Sequence, residues 1–255
     1  MCDSYNDRGK SMIKHKGSKV ESNKMYLPAI FSLVFLPASL LLLAHYQVEQ
    51  TAMLSFVAVI TALLPFFISF ERQKIKVRNL LPIVVMTALA TAGRLLFAAA
   101  PNFKPVFSII IIAAIAFGPV SGFMIGALTA LASNLFFGQG PWTPWQMYAF
   151  GLVGYIAGIC QQLGLFKRPQ FVYIYGFFSA FFYGIILDTW HVISFLRPVT
   201  WQGALLIYGQ GIIFNVVLAV ATVVFLIPIR VPWTRQLERI KSKFGLTSQL
   251  DSSTD

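Results

Sequence analysis

The sequence predicts an all-α, polytopic membrane protein with about eight transmembrane helices. Hydrophobic residues make up 57% of its 255 residues and charged residues only 11%, whereas a soluble domain carries about 25% charged residues. Apolar runs near the ~20 residues that a helix needs to cross the hydrocarbon core recur along the chain. This composition excludes a soluble enzyme, a disordered protein and a disulfide-stapled secreted module.

The candidate spans follow one another with short connections between them. The fourth and fifth form one continuous apolar stretch, and we place a tight turn at Gly118 and Pro119 because proline cannot donate a helical hydrogen bond. The fourth span is short, so we expect it to begin inside the protein. The eight spans cover approximately residues 26–45, 50–70, 79–99, 104–118, 120–138, 143–163, 171–194 and 203–229.

The basic residues predict the orientation of these spans. Of the 20 Lys and Arg residues, 17 lie in residues 1–24, in the loop after span two, in the pair 167–168 and in the segment after residue 229. Lysine and arginine accumulate in cytoplasmic loops, so we expect both termini in the cytoplasm. We interpret residues 1–24 as a disordered cytoplasmic tail and residues 231–255 as a cytoplasmic C-terminal tail. A nucleic-acid interface is not expected, since no soluble basic face exists.

Few ionisable side chains lie within the spans, where such groups are costly and face a cavity or a partner. Arg94, near the external end of span three, either contacts an anionic or carbonyl-bearing ligand, forms an internal pair, or snorkels to the headgroups. Asp188 and His191 stand three residues apart on one face of span seven. That face either lines a binding cavity or ties helices together, and Asp188 is a candidate partner for Arg94.

The segment 138–147 (GQGPWTPWQM) is the most unusual connection in the chain. Its glycines and prolines oppose regular helix, so we predict an external loop with a defined, re-entrant path. Trp142 and Trp145 would form an aromatic platform over a ligand pocket, with amides from Gln139 and Gln146; the alternative is an aromatic belt at the membrane interface. The other candidate pocket residues are Asn134, Asn102 in the external loop 101–105, and Arg197 at the rim.

Several common nucleotide-binding, catalytic and metal-binding motifs are absent from the sequence. It contains no Walker A, His-Glu-x-x-His, Gly-x-Ser-x-Gly or Cys-x-x-Cys pattern. Its two cysteines and three histidines are too scattered for a metal site, so we predict neither a metal nor another cofactor.

Three classes of function are consistent with these sequence features. The first is a ligand-binding subunit of an uptake system, which is not an enzyme. The second is an intramembrane enzyme that acts on a lipid or isoprenoid substrate with Asp188 and His191 as an acid/base pair. The third is a standalone secondary carrier. Against the third, inverted repeats are not evident and Asp188 alone supplies an intramembrane carboxylate.

Several features between residues 78 and 230 occur together in one known family. They are six helices, the Ala-xxx-Ala spacing of Ala88 and Ala92 in the first of them, Arg94 followed by PNFKP, and the string SGFMIGALTALASNLFFGQGPWTPWQM. In these features the chain resembles the substrate-binding (S) component of an energy-coupling factor (ECF) vitamin transporter. The long string, with the following GLVGYIAG, resembles the branch associated with cobalamin or its precursors.

The resemblance implies a subunit of a bacterial cell membrane that binds a vitamin from outside and performs no chemistry. It implies that Ala88 and Ala92 dock onto a transmembrane coupling subunit, and that two separate ATPase subunits drive toppling and release inside. The vitamin site would lie in the loops 99–105, 138–146 and 195–202.

The resemblance also divides the chain. Residues 78–230 would form the six-helix substrate-binding core, and residues 25–77 would add two extra transmembrane helices and a basic loop. These extra helices are either a peripheral addition beside the core, a support for the solitary protein, or a contact for the coupling module. In each case we expect them to leave Ala88 and Ala92 uncovered, because docking needs that face.

Overall fold

The computed structural model describes Pro28 and residues 30–40, 51–72, 77–196 and 198–243. The expected tail 1–24 and the candidate residue Arg197 lie outside these residues. Within them, helices alternate with short connections, as the sequence predicts. The helices are α1 (Ile30–Leu40), α2 (Thr51–Arg72), α3 (Val77–Leu96), α4 (Val106–Phe117), α5 (Pro119–Phe137), α6 (Thr143–Gln162), α7 (Pro169–Phe195) and α8 (Trp201–Lys243), with a 3₁₀ turn at Leu165–Lys167.

The lengths and hydropathies of these helices match a polytopic membrane protein. Four of the described helices, α2, α5, α7 and α8, are long and apolar enough to cross a membrane, and α1, α3 and α4 contain shorter apolar stretches. Large apolar side chains, such as Leu135 and Ile213, are more than two thirds exposed on the outer surface. Such a surface suits lipid, because water would disfavour so much exposed apolar area.

Helix α4 lies at the centre of the bundle. Ten of its 12 residues are buried, and it packs against α3, α5, α6, α7 and α8. Twelve residues span only about 18 Å, less than the hydrocarbon thickness of about 30 Å. The expectation that this short span begins inside the protein is therefore confirmed. The predicted turn is confirmed as well, since Gly118 adopts a positive φ of 88° between α4 and α5 and Pro119 opens α5.

Helices α5 and α6 make the most extensive contact in the bundle. A Cβ on Gly126 of α5 would overlap the backbone carbonyl of Phe150, and a Cβ on Gly154 of α6 would overlap that of Gly122. Small residues spaced four apart let two helix backbones approach closely. The pair α5–α6 therefore forms a rigid base for the connection between the two helices, residues 138–142.

Helix α2 contributes to the core rather than packing at its periphery. The side chain of Phe66 is fully buried; its ring stacks on Phe123 of α5, with centroids 3.8 Å apart, and meets Tyr155 of α6 edge-on at 5.1 Å. The helix packs against α5, α6 and α7. Helix α1 also reaches α6, where the Tyr148 hydroxyl lies 3.4 Å from Ser32 Oγ. Of the three roles open for the extra helices, support of the core agrees best with these contacts.

Helix α8 continues 14 residues beyond the predicted end of the last span. It runs without a break to Lys243, although it contains Pro228 and Pro232. The continuation places Trp233, Leu237 and Ile240 on one face, and Leu237 is buried there. Apolar residues three or four positions apart form the apolar face of an amphipathic helix. Residues 231–243 are thus helical, whereas residues 244–255 of the expected tail lie outside the described part.

Candidate functional site

Polar side chains collect at the end of the bundle where α3, α5 and α7 finish and α4, α6 and α8 begin; this is the α3–α4 end. The connection 138–142 between α5 and α6 lies here. The non-helical segment is shorter than predicted, because helix α6 already begins at Thr143 with Pro144 in its first turn. Proline suits a first turn, where its missing N–H is not needed. Trp145 and Gln146 therefore belong to α6, and only residues 138–142 form the loop.

Arg94 of α3 reaches across to α5. Its Nη1 donates hydrogen bonds to Ser133 Oγ and, over 3.1 Å, to Asn134 Oδ1. Its guanidinium carbon lies 5.0 Å from the Phe137 ring centroid and 5.4 Å from that of Phe150. These distances are within the range of cation–π attraction. Arg94 is therefore held between two helices by neutral acceptors and aromatic faces, rather than extended to the headgroups.

Asn134 links Arg94 to the start of α6. Its amide nitrogen donates to Gln146 Oε1 at 2.8 Å and to Thr143 Oγ1 at 3.1 Å. The Thr143 hydroxyl in turn donates to Gln139 Oε1 at 2.8 Å and accepts the Gly140 N–H. Four of the predicted site residues, Arg94, Asn134, Gln139 and Gln146, thus belong to one hydrogen-bonded network across α3, α5 and α6. Thr143 and Ser133, which complete it, are not among the predicted site residues.

Phe137, at the last position of α5, faces a second cation. The Lys104 ammonium lies 4.8 Å from its ring centroid, so Lys104 and Arg94 share one aromatic ring. Burial, and to a smaller degree the charge of Arg94, lowers the pKa of Lys104 below that of an ordinary lysine. Lys104 belongs to the predicted external loop 101–105, and its position over Phe137 depends on the fold of residues 97–105.

The connection 97–105 packs onto the bundle through its aromatic residues. Phe97 and Phe103 both contact the Phe225 ring of α8, with centroids 5.1 and 5.4 Å apart. Asn102, a predicted pocket residue, is half-buried and adopts a positive φ of 56°, a conformation that asparagine tolerates better than most residues. The loop therefore turns Lys104 back towards α5.

The two tryptophans have different surroundings. Trp142 is half-buried and meets the Trp190 ring of α7 edge-on, with centroids 6.0 Å apart. Trp145 is only 1% exposed, and its indole Nε1 has no hydrogen-bond partner among the described residues. A fully buried Trp145 cannot sit in an interfacial belt. A buried indole N–H without an acceptor is uncommon, and it marks a place where a further acceptor would be favourable.

Asp188 and His191 do not form a directly bonded pair in the described structure. The Asp188 carboxylate packs against the backbone of Gly211 in α8, within reach of the Asn215 amide. His191 is exposed; its Nδ1 lies 3.0 Å from the Leu187 carbonyl oxygen, and its ring packs on Trp190. Asp188 therefore lies at the α7–α8 contact. In the described structure it forms no ion pair with Arg94, so of the alternatives open for Asp188 the contact between helices agrees best with its surroundings.

The face predicted for docking lies on α3, the helix that also carries Arg94. Ala88 and Ala92 of α3 are both exposed. Helix α2 packs on α5, α6 and α7, so the described part of the extra helices leaves the face of Ala88 and Ala92 open. The polar network begins at Arg94, two residues beyond Ala92, on the same helix. Helix α3 therefore combines an open small-residue face with a residue of the polar site.

Fold and site together define a polytopic helical membrane protein with a polar site built into one end of an apolar bundle. The chain belongs to the family of ECF-type riboflavin transporter S components, because the model of this family matches residues 74–234, more than half of the chain. The match covers α3 to most of α8, and therefore the whole polar network. Helices α1 and α2 lie outside it.

Proteins of two Aliivibrio species share part of this sequence. The chain is 28% identical over 145 residues to a UPF0397 protein of Aliivibrio fischeri strain MJ11 and equally to one of strain ATCC 700601 / ES114, over 50% of this chain and 77% of each relative. It is 27% identical over 111 residues to a UPF0397 protein of Aliivibrio salmonicida, over 39% of this chain and 60% of that relative. No solved structure matches the chain.

Proposed function

We propose that this protein is the substrate-capture subunit of an ECF-type ABC importer in a bacterial cell membrane. It binds a vitamin at the α3–α4 end, from outside, and releases it inside when separate ATPase subunits drive toppling. The observation that carries this proposal is the network joining Arg94, Asn134 and Gln146 within the region that matches the S-component family. No catalytic step is assigned to these residues.

Three helices supply this network, and this supports a binding role. Buried polar side chains in a membrane are costly unless they are satisfied, and the hydrogen bonds of Asn134 satisfy its own amide while fixing Arg94. Side chains held in place before a ligand arrives bind it with less loss of conformational entropy. Trp142 at the edge of the same end offers an aromatic surface. Arg197 is kept as a proposed rim residue on the grounds of its sequence position alone.

The exposed face of Ala88 and Ala92 supports the proposed docking to a transmembrane coupling subunit. Small side chains let a partner helix approach closely. With this face on α3, docking and substrate binding use one helix, so a tilt of α3 against the coupling subunit would also displace Arg94. The basic residues of 230–243 support a cytoplasmic placement of the opposite end. Both termini would then be cytoplasmic.

The identity of the vitamin is proposed only as a class. The sequence string around residues 121–147 favours cobalamin or a corrinoid precursor, whereas the description of the matching family names riboflavin. Both are large ring systems that suit a site edged by tryptophan. We therefore include both in the binding experiments below.

The proposal is tested by identifying what the protein retains on purification. The full chain is purified in detergent from cells grown in rich medium, denatured, and its small-molecule content measured by mass spectrometry. We expect one vitamin-like compound near one equivalent in the wild type and less than about a tenth of that in Asn134→Leu, because this change removes every side-chain hydrogen bond of Asn134. The matched control is Asn215→Leu, at the α7–α8 contact, which should retain the compound.

Two outcomes would contradict the proposal. If the compound is a lipid or isoprenoid that the protein converts to a product, and Asp188→Asn abolishes conversion but not binding, the protein is an enzyme. The lack of a direct hydrogen bond between Asp188 and His191 in the described structure argues against this alternative. If the chain alone transports its substrate into vesicles without any ATPase, it is a secondary carrier.

A further inference from the structure

The cations at the α3–α4 end form no ion pair with an acidic side chain of the described residues. Asp188 is the only acidic residue in the sequence between Glu71 and Glu238, and it lies at the α7–α8 contact. No carboxylate of the described residues forms an ion pair with Arg94 or Lys104. Within the described part of the chain, two positive side chains are therefore placed together without an acidic side chain bonded to either.

The guanidinium of Arg94 also retains unused donors. A guanidinium carries five N–H donors in a planar fork. Both hydrogen bonds of Arg94, to Ser133 and Asn134, use Nη1, and no other described residue accepts a bond from Nε or Nη2. The acceptors on α5 thus fix the orientation of the fork and leave one edge available. Such an edge binds a carboxylate or phosphate through two parallel hydrogen bonds.

Lys104 strengthens the positive potential at this point. Its ammonium and the guanidinium of Arg94 lie 4.8 and 5.0 Å from the centroid of the same Phe137 ring. The aromatic face partly compensates each charge, but the two cations still repel one another. A bound anion would relieve this repulsion, whereas a neutral carbonyl group would leave both charges uncompensated.

We infer that the transported molecule is an organic anion, and that Arg94 and Lys104 bind its carboxylate or phosphate group beside the Phe137 ring. The inference rests on the proposed function and narrows its substrate to a chemical class. Ser133 and Asn134 act as positioning residues, since they hold the guanidinium through Nη1. The rest of the ligand would extend towards Gln146 and Trp142, along the network.

Pairs of compounds with and without a phosphate or carboxylate group test this inference, and the member that carries the group is called the anionic member. The probes are riboflavin 5′-phosphate against riboflavin, cyanocobalamin against dicyanocobinamide, which lacks the phosphodiester together with the rest of the nucleotide, and nicotinate against nicotinamide. The first two pairs report a phosphate and the third a carboxylate. Dissociation constants are measured on the full-length protein in detergent, by flavin fluorescence or by calorimetry.

We expect the anionic member of at least one pair to bind about 10- to 100-fold more tightly than its neutral partner, as charge-assisted hydrogen bonds predict. Arg94→Gln and Lys104→Gln should each reduce that ratio to about threefold or less by weakening the anionic member alone. Arg94→Lys should retain part of the preference, since it keeps the charge but not the fork. Lys104 lies in a loop, so its variant remains informative if Arg94→Gln fails to fold.

Matched controls come from the opposite end of the bundle. Arg168 and Lys167 are exposed there, and Arg168→Gln and Lys167→Gln remove one positive charge without touching the network. Both should leave the ratio unchanged. A fall of the same size in these controls would assign the preference to overall charge and overturn the inference.

Three further results would overturn it: equal or tighter binding of the neutral members, no binding by any anionic member, or a preference that survives in both Arg94→Gln and Lys104→Gln. Uptake by the assembled transporter distinguishes a failure of the anion assignment from a failure of the proposed function. If a neutral vitamin is taken up with ATP, the function stands and the anion assignment falls. If no vitamin of any charge is taken up, the proposed function itself fails.

Discussion

Arg94 shows how far a single intramembrane residue can be interpreted from sequence. Its position near the end of an apolar run predicts a functional or paired charge, and the structure places it in a polar network with Asn134 and Gln146. Pairing with Asp188 was one of the alternatives left open by the sequence, and in the structure Asp188 instead packs against Gly211 of α8. Helix rotation depends on packing, which a single apolar run does not encode.

Other members of the site could not be found from composition. Ser133 and Thr143 are common small polar residues in membrane helices, and Phe137 resembles any other lipid-facing phenylalanine. Their roles follow from distances across α3, α5 and α6, which are set by the close approach of glycines on α5 and α6. Gln146 was predicted because it lies in the unusual segment 138–147, and Asn134 because it stands one turn before that segment.

The lowered pKa of Lys104 predicts that the stability of the protein and its affinity for an anion change with pH in opposite directions. Between its lowered folded pKa and the ordinary lysine value, the unfolded chain binds more protons than the folded one, so stability of the unliganded protein rises with pH. Affinity for an anionic probe should fall over the same range, because the ammonium is lost. Melting temperature and riboflavin 5′-phosphate binding, measured from pH 7 to 10, check both signs.

Lys104→Gln provides the reference for this titration. In that variant the rise of stability with pH and the fall of anion affinity over the same range should both be lost, because the titrating ammonium is gone. A wild-type profile that coincides with that of Lys104→Gln would contradict the assigned role of Lys104.

At the scale of helices, hydropathy predicts the bounds of most elements within about two residues. The runs that became α2, α4, α5, α6 and α7 end at glycine, proline or charged residues, which interrupt apolar sequence and helix together. The end of α8 was missed because charged residues are frequent after Arg230 (Arg235, Glu238, Arg239, Lys241 and Lys243). Hydropathy assigns such a segment to a tail, whereas the apolar face of Trp233 and Leu237 continues the helix.

Helix α2 is expected to stabilise the core through Phe66. Phe66→Ala would remove a fully buried ring that stacks on Phe123, and such truncations lower the free energy of unfolding by about 3 to 5 kcal/mol. Leu64→Ala on the same helix, where the side chain is 50% exposed, should have little effect. Thermal unfolding in one detergent compares the two, and equal effects would show that α2 is peripheral.

The contact between α5 and α6 predicts a second stability difference. Gly126→Ala places a Cβ against the Phe150 carbonyl, and overpacking of this kind costs about 1 to 3 kcal/mol. Gly209→Ala in α8 meets nothing within 4 Å and should be neutral or stabilise the helix by up to about 1 kcal/mol. Unfolding by a denaturing detergent measures both. A tolerated alanine at Gly126 would argue against the close backbone contact.

At the scale of the whole molecule, the extra helices and the proposed docking face occupy different sides. Helix α2 packs on α5, α6 and α7, and Ala88 and Ala92 remain exposed on α3. The resemblance in sequence predicted an open docking face, but not that α2 would enter the core. The core contribution of α2 depends on Phe66, which hydropathy does not distinguish from its neighbours.

Bulky residues on the docking face should separate assembly from binding. The double variant Ala88→Leu, Ala92→Leu is expected to lose co-purification with the coupling subunit by about 10-fold or more, since it blocks close helix approach. Its affinity for the vitamin should stay within about threefold of wild type. Gly209→Leu, exposed on α8, is the control for added bulk. Normal assembly of the double variant would place the docking face elsewhere.

Substrate uptake into proteoliposomes tests the central claim most directly. The purified chain is reconstituted with a coupling subunit and its two ATPases, and uptake of the compound that co-purifies with the chain is followed with ATP inside or outside. The account predicts uptake that requires both ATP and the coupling subunit and that falls by at least about 10-fold in Arg94→Gln but not in Arg168→Gln. Uptake that proceeds without ATP, or that is unchanged in Arg94→Gln, would contradict it.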